Sequence, residues 1–174
     1  MKENFEKSLA LVLQHERGFQ SDPRDPGNAG GKCTNLGVTQ RVWEDYVGHK
    51  VDEQAMRQLT KEVVAPLYRK QYWDVCHCDD LPFGVDYLAF DFSVNAGSFR
   101  SIKTIQRALN ITADGVIGPV TLKAIQDANA EEFINNFTNA KEVFYRGLAN
   151  FPTFGRGWLN RVAESKKAAE RMLG

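Results

Sequence analysis

The sequence is poor in the features that mark most functional classes. Its net charge is zero, with 22 Lys and Arg against 22 Asp and Glu. That removes the long-range pull by which basic proteins find nucleic acid or an anionic membrane surface. No apolar run approaches the length of a membrane span. The opening residues Met1-Lys2-Glu3-Asn4-Phe5-Glu6-Lys7 carry charges where a secretory signal needs an uninterrupted apolar stretch. Synthesis in a cytoplasm, without a signal peptide, is therefore expected. Cysteine is scarce and odd in number, at three, which does not suggest a disulfide framework. There is no Gly-x-Ser-x-Gly elbow, no zinc-peptidase motif, no phosphate-binding glycine loop and no long internal repeat. Serine hydrolase, zinc peptidase and nucleotide chemistry are left without support, and no cofactor is called for.

What is present is a helical pattern with one interruption. The 174 residues, 43% hydrophobic and 25% charged, suit one globular domain, or one with a small appendage. Phe5, Leu9, Val12 and Glu16 follow steps of four, three and four, so a carboxylate extends an apolar helical stripe. Gly18 fits a helix stop. From Phe19 to Leu36 the chain is rich in turn residues: Ser21-Asp22-Pro23, Asp25-Pro26-Gly27 and Gly30-Gly31. Gly37-Val38-Thr39 suits a short strand. Thr39, Asp52 and Thr60 then suit N-caps of three short helices, the last with a kink or late start at Pro66.

Further helices are expected around Val85 to Phe92, apolar on most sides and so central, and from Ser98 or Arg100 to Leu109. Others run from about Thr121 to Ala128, along Phe133 to Leu148, and from Trp158 to Met172 after a break at Gly155-Arg156-Gly157. The C-terminal cations Arg161, Lys166, Lys167 and Arg171 alternate with Glu164 and Glu170, as on a solvated amphipathic face.

Several residues invite a chemical reading beside a plain one. Cys76-His77-Cys78 with Asp79-Asp80 suggests metal, but a structural zinc site needs four ligands in spaced sets, and two small buried thiols beside an exposed histidine explain it as well. No metal is expected. Asn95 and Ser98 suit either a helix cap or a polar ligand. Glu16 is either a frayed surface glutamate or a partly buried acid whose pKa rises with burial. Glycoside hydrolysis uses a protonated acid on one side of the bond and a base, or a group holding water, on the other. Glu16 has the placement for the acid, while Asp22, Asp25 and Thr34 come from a loop able to fold back over it.

Ordered motifs decide between these readings. Glu16-Arg17-Gly18-Phe19, Asp22-Pro23-Arg24-Asp25-Pro26-Gly27 and Thr34-Asn35-Leu36-Gly37-Val38-Thr39-Gln40 resemble glycoside hydrolase family 108, the phage-type and secretion-associated N-acetylmuramidases. The resemblance continues through Tyr68-Arg69-Lys70-Gln71-Tyr72-Trp73-Asp74 and Phe90-Asp91-Phe92-Ser93-Val94-Asn95-Ala96-Gly97. Gln106-Arg107-Ala108-Leu109, Asp114-Gly115-Val116-Ile117-Gly118-Pro119 and Gly157-Trp158-Leu159-Asn160-Arg161-Val162 look like the peptidoglycan-binding region that follows it. Two departures stand out. Arg17 takes the place of a glycine, setting a cation beside the acid, and the loop from Asp25 to Thr34 is longer than the compact form.

The resemblance implies a mainly α, lysozyme-like fold with a small β-hairpin beside the cleft. It implies a catalytic region over residues 1–95 and a helical, peptidoglycan-binding region over 96–174. Glu16 is expected as general acid, Asp25 to orient water or stabilise positive charge with Asp22 as its rival, and Thr34 to hold the water. Asp22, Asn95, Tyr72 and Trp73 are expected at the substrate. The expected partner is the peptidoglycan glycan strand, cut between N-acetylmuramic acid and N-acetylglucosamine. A monomeric phage or prophage endolysin is expected, with no nucleic acid and no obligatory membrane partner, reaching the wall in the periplasm through a holin lesion or a secretion system. A non-catalytic peptidoglycan-binding protein and a lytic transglycosylase are the alternative readings. For the Asp114-Gly115 motif, a plain helix-connecting turn competes with ligand binding.

Overall fold

The computed structural model describes residues 4–16 and 18–174; the expectation for Arg17 lies outside the described residues. The chain is mainly helical, with one small antiparallel hairpin. It divides into two compact units, one of Glu6–Gln71 and one of Tyr72–Gly174 with the residues up to Phe5.

In the first unit, helix α1 (Phe5–His15) buries Leu9 and Val12 completely. It ends one residue before Glu16, whose backbone N–H still reaches back to Leu13 at 3.2 Å. The acid thus stands on the last turn rather than inside the helix. The chain runs through a 3₁₀ turn at Pro26–Asn28 into strands β1 (Thr34–Asn35) and β2 (Val38–Thr39). Thr34 pairs with Thr39 and Asn35 with Val38, closed by Leu36 and Gly37. Both turn residues have positive φ, 49° and 74°, as a two-residue hairpin loop of the favoured twist requires.

Thr39 caps α2 (Gln40–Val47), Asp52 caps α3 (Glu53–Arg57) and Thr60 caps α4 (Lys61–Tyr68), each side chain accepting an N–H in the first turn. The late start expected at Pro66 does not occur: the helix begins at Lys61, with the proline inside it. It is exposed and costs the helix one hydrogen bond; the irregularity falls later, where the chain widens into a π-helical turn at Arg69–Trp73.

The long loop before β1 is tied down by Glu44 of α2. This nearly covered carboxylate receives Lys50 Nζ at 2.8 Å, Lys32 Nζ at 3.0 Å and Val51 N at 3.3 Å. The hydrogen bonds from Lys50 and Lys32 pull its pKa down to about 2.

The second unit is built on α5 (Val85–Ala96), buried from Val85 to Ser93. It packs against α6 (Ser98–Ala108), α8 (Ala130–Arg146) and α9 (Phe151–Met172). A shorter helix, α7 (Pro119–Asp127), follows the Asp114-Gly115 turn. Inside lies a buried ionic cluster: the Asp91 carboxylate binds Lys141 and, at 3.1 Å, Arg161. Burial alone would raise the Asp91 carboxyl; the two cations hold it below its usual range. The expected break at Gly155-Arg156-Gly157 does not occur, and α9 runs straight through. A Cβ on Gly155 would sit 2.5 Å from the Phe151 ring, so this glycine makes room for an aromatic cluster rather than ending a helix.

Because Glu44 has a folded pKa below its unfolded value of about 4.3, its bonds stabilise the protein above that pH and are lost as pH falls towards about 2. Thermal melting of wild type and Glu44→Gln across pH should show the wild-type advantage in full above about pH 5, vanishing by about pH 2. An advantage that stays constant with pH would contradict the assignment.

Candidate active site

Four segments of the first unit meet in one cleft of about 380 Å³, a size within the range of ligand sites. His15 and Glu16 come from the end of α1, and Gly18 and Gln20 from the chain after it. Asp25 comes from the turn-rich loop; Thr34, Gly37 and Thr39 come from the hairpin. An isolated bridge joins the second and fourth segments: Gln20 and Thr34 exchange both backbone hydrogen bonds at 2.8 Å. Three of the residues singled out in the sequence, Glu16, Asp25 and Thr34, therefore line the same space.

Asp25 is fixed on both oxygens. Gly27 N donates to Oδ1 at 2.8 Å, and Gln20 Nε2 donates to Oδ2 at 2.7 Å. Asp25 is thus the cap of the 3₁₀ turn as well as a wall of the cleft. Asn28, buried at the base, links the group together. Its amide donates to Gln20 Oε1 at 2.6 Å, and its Oδ1 accepts from the Thr34 hydroxyl at 2.8 Å. The single proton of Thr34 is thereby committed, so its oxygen faces the cleft as an acceptor. Gly27 lies close to both groups: a Cβ there would lie 3.2 Å from Asp25 Oδ1 and 3.7 Å from Thr34 Oγ1.

On the acid's side, the hairpin closes to contact distance. A Cβ on Gly37 would sit 2.7 Å from Glu16 Oε2 and 2.7 Å from the hydroxyl of Tyr68. That hydroxyl donates to the Leu36 carbonyl at 2.8 Å. Gln20, Asn28, Gly37 and Tyr68 were not picked out by sequence reasoning. Only Gly37 carried a signal, the glycine that a two-residue hairpin turn needs.

Asp22 is placed differently. Its carboxylate, partly exposed and absent from the cleft lining, binds the exposed Arg24 guanidinium, with the closest contact at 2.7 Å. Tyr72, Trp73 and Asn95 belong to the second unit. Trp73 is fully buried, stacked edge-on to Phe5 and Phe90, with its indole N–H on Asp79 at 2.9 Å. No sugar can stack on that ring as it stands. Tyr72 is partly exposed, and Asn95 stands exposed at the end of α5, its amide donating to the Asp91 carbonyl at 2.8 Å.

Residues 9–97 match the family described as Glycosyl hydrolase 108. The chain belongs to glycosyl hydrolase family 108. Residues 100–163 match a second family, described as Predicted Peptidoglycan domain. The chain is similar to a solved structure titled "Structure of Brucella abortus SagA", at 35% identity and a TM-score of 0.86, over 99% of this chain and 97% of that one. No curated protein matches. The fold is mainly α and lysozyme-like, and the protein is a glycoside hydrolase with peptidoglycan as its substrate.

In this family 108 hydrolase the second match falls within the α5-centred unit. There the Asp114-Gly115 turn is held from inside. Buried Gln106 donates to Asp114 Oδ1 at 2.7 Å and accepts from Gly115 N at 2.8 Å. The bond from Gln106 and a backbone bond from Val116 lower the Asp114 pKa. A Cβ at Gly115 would strike the Phe99 ring at 2.2 Å. Most polar groups of this motif are spent on the turn itself.

Gly37→Ala should be the most damaging small substitution at the cleft. It forces a side chain into positive φ and against Glu16 and Tyr68. Cell-wall clearing should fall by about 100-fold or more, with a loss of stability of about 1 kcal/mol or more on denaturation. Wild-type clearing by this variant would show that the close approach is not needed.

Proposed function

We propose that this hydrolase is an N-acetylmuramidase that cuts the β-1,4 bond between N-acetylmuramic acid and N-acetylglucosamine. The observation that carries the reading is the convergence of Glu16, Asp25 and Thr34 on one cleft. Glu16 is the general acid and passes its proton to the glycosidic oxygen as the C1–O bond breaks. A water held between Asp25 and Thr34 attacks C1 from the other face. Asp25 takes the water's proton, and Thr34, with its own hydrogen committed to Asn28, accepts the second O–H of that water. This division of labour is inversion, for which the two carboxyls stand roughly 6.5–9.5 Å apart. Asp25 is favoured over Asp22 because Asp25 lines the cleft while Asp22 is bound to Arg24.

The biological setting belongs to the same proposal. The protein acts as a monomeric phage or prophage endolysin, made in the bacterial cytoplasm and reaching the wall in the periplasm through a holin lesion or a secretion system. Asn95, which is exposed, and Tyr72, which is partly exposed, are proposed as further substrate-binding residues.

Glu16→Gln should lower hydrolysis of purified peptidoglycan by about 100-fold or more, with the fold intact by circular dichroism. Asp25→Asn should follow it, and Asp22→Asn should cost far less. Mass spectrometry of the released fragments should show reducing-end N-acetylmuramic acid. Anhydro ends would mean lytic transglycosylation, and binding without release would mean a wall-binding protein.

A further inference from the structure

Helix α8 carries asparagines where folding gives no reason for them. Asparagine is a poor residue for a helix interior, because its amide competes with the backbone for hydrogen bonds. Elsewhere in the chain such amides are used. Asn35 donates to the Met56 carbonyl at 2.8 Å, and Asn129 caps α8 by accepting from Glu132 N at 2.9 Å. Asn136 and Asn139 lie inside α8, are exposed, and stand three residues apart on one face. Among the described residues, neither side chain has a hydrogen-bond partner in the protein. A glutamate or lysine would suit a merely solvated helix face better.

Both amides line a hollow with the end of α6. Asn110, just past that helix, takes a φ of 56°, the left-handed conformation that asparagine tolerates after a helix end. The turn explains the choice of residue but uses only its backbone, and the exposed amide is unspent. Asn110 and Asn136 together line two adjoining hollows of about 350 Å³ and 260 Å³, and Asn139 and Arg107 line the smaller one. Ala108 borders both and adds apolar surface. The charges are mixed: Arg107, Glu132, and Asp127, the last paired with Lys123 at 2.8 Å. No cluster of one sign is there to draw an ionic ligand.

We propose that this hollow between α6 and α8 is a glycan-binding site of the second unit, taking the N-acetylated amino sugars of the peptidoglycan strand. The chemistry of the lining selects that ligand. A side-chain amide both donates and accepts, and so does the acetamido group of such a sugar. The Arg107 guanidinium only donates, which suits hydroxyl and acetyl oxygens. The stem peptides of the wall carry carboxylates and would need a cationic cluster in its place. This site deepens the reading of peptidoglycan as the substrate and does not depend on which bond is cut or on Glu16.

The test is NMR titration of the full-length, isotopically labelled chain with a tetramer of N-acetylglucosamine. The side-chain amide signals of Asn110, Asn136 and Asn139 should shift together. In Asn136→Ala/Asn139→Ala, the dissociation constant read at Asn110 should rise about tenfold, while the melting temperature stays level or rises, since alanine is the better helix former. A double variant that binds the tetramer as wild type does overturns the proposal. So do wild-type shifts confined to cleft amides such as Gln20 and Asn28, or shifts at the three asparagines produced by a stem tetrapeptide and not by the tetramer. The wild-type titration stands whether or not the variant folds. Anhydro products from the wall would refute the muramidase reading and leave this site untouched.

Discussion

The cleft depends on how closely a strand turn can approach a carboxyl group. At Gly37 the backbone comes so near Glu16 that one added carbon would overlap it. Everything on that wall follows from this approach. Leu36 and Gly37 must both take positive φ to turn the chain in two residues. The Leu36 carbonyl then points at the Tyr68 hydroxyl, which fixes α4 to the hairpin. The opposite wall is organised by hydrogen bonds rather than by contact. Asp25, Gln20, Asn28 and Thr34 form one connected set in which each group has a defined donor or acceptor role. Such a network is rigid because leaving any member unpaired in a covered site is costly. The Asp-rich, turn-rich loop becomes a fixed surface through these side-chain hydrogen bonds.

Much of this was legible in the sequence, for reasons that differ by element. Helix caps at Thr39, Asp52 and Thr60 were readable because a hydroxyl or carboxylate followed by an apolar run has a local cause. Periodicity put Glu16 at the end of the α1 stripe but left a surface glutamate and a cleft acid equally open, and the ordered motifs singled it out. The partners of Asp25 were not, since a glutamine and an asparagine in a turn carry no periodicity, and their roles arise only when the loop folds over itself. The late start expected at Pro66 and the break expected at Gly155 misled for the same reason. Both are breakers by local propensity, and both are overruled by context: Pro66 on an exposed helix face, Gly155 by the ring it leaves room for. Glu44 and its two lysines were invisible because the pairing spans a loop whose path the sequence does not specify.

The second unit uses charge differently. Asp91 with Lys141 and Arg161 places three ionised groups around one covered point, and Lys141 is itself 1% exposed. Such an arrangement fixes which helices meet, since α5, α8 and α9 each contribute one of the three groups. The Gln106–Asp114–Gly115 clamp does the same for a turn. The motif that makes this region recognisable is thus largely a description of how it folds.

The chain passes between its two units twice, near Phe5 and near Gln71. Phe5, at the start of α1, stacks on Trp73 and Phe90 in the core of the second unit. Helix α5 falls in the hydrolase match, yet its packing partners α6, α8 and α9 fall largely in the other. No single cut of the chain therefore releases an intact piece. The two regions named by their family matches are not modules to be exchanged between wall-degrading enzymes as beads on a string are. Recombination at residues 97–100 would divide a hydrophobic core, so natural variation in this architecture is expected to proceed by drift of surfaces rather than by swapping of parts.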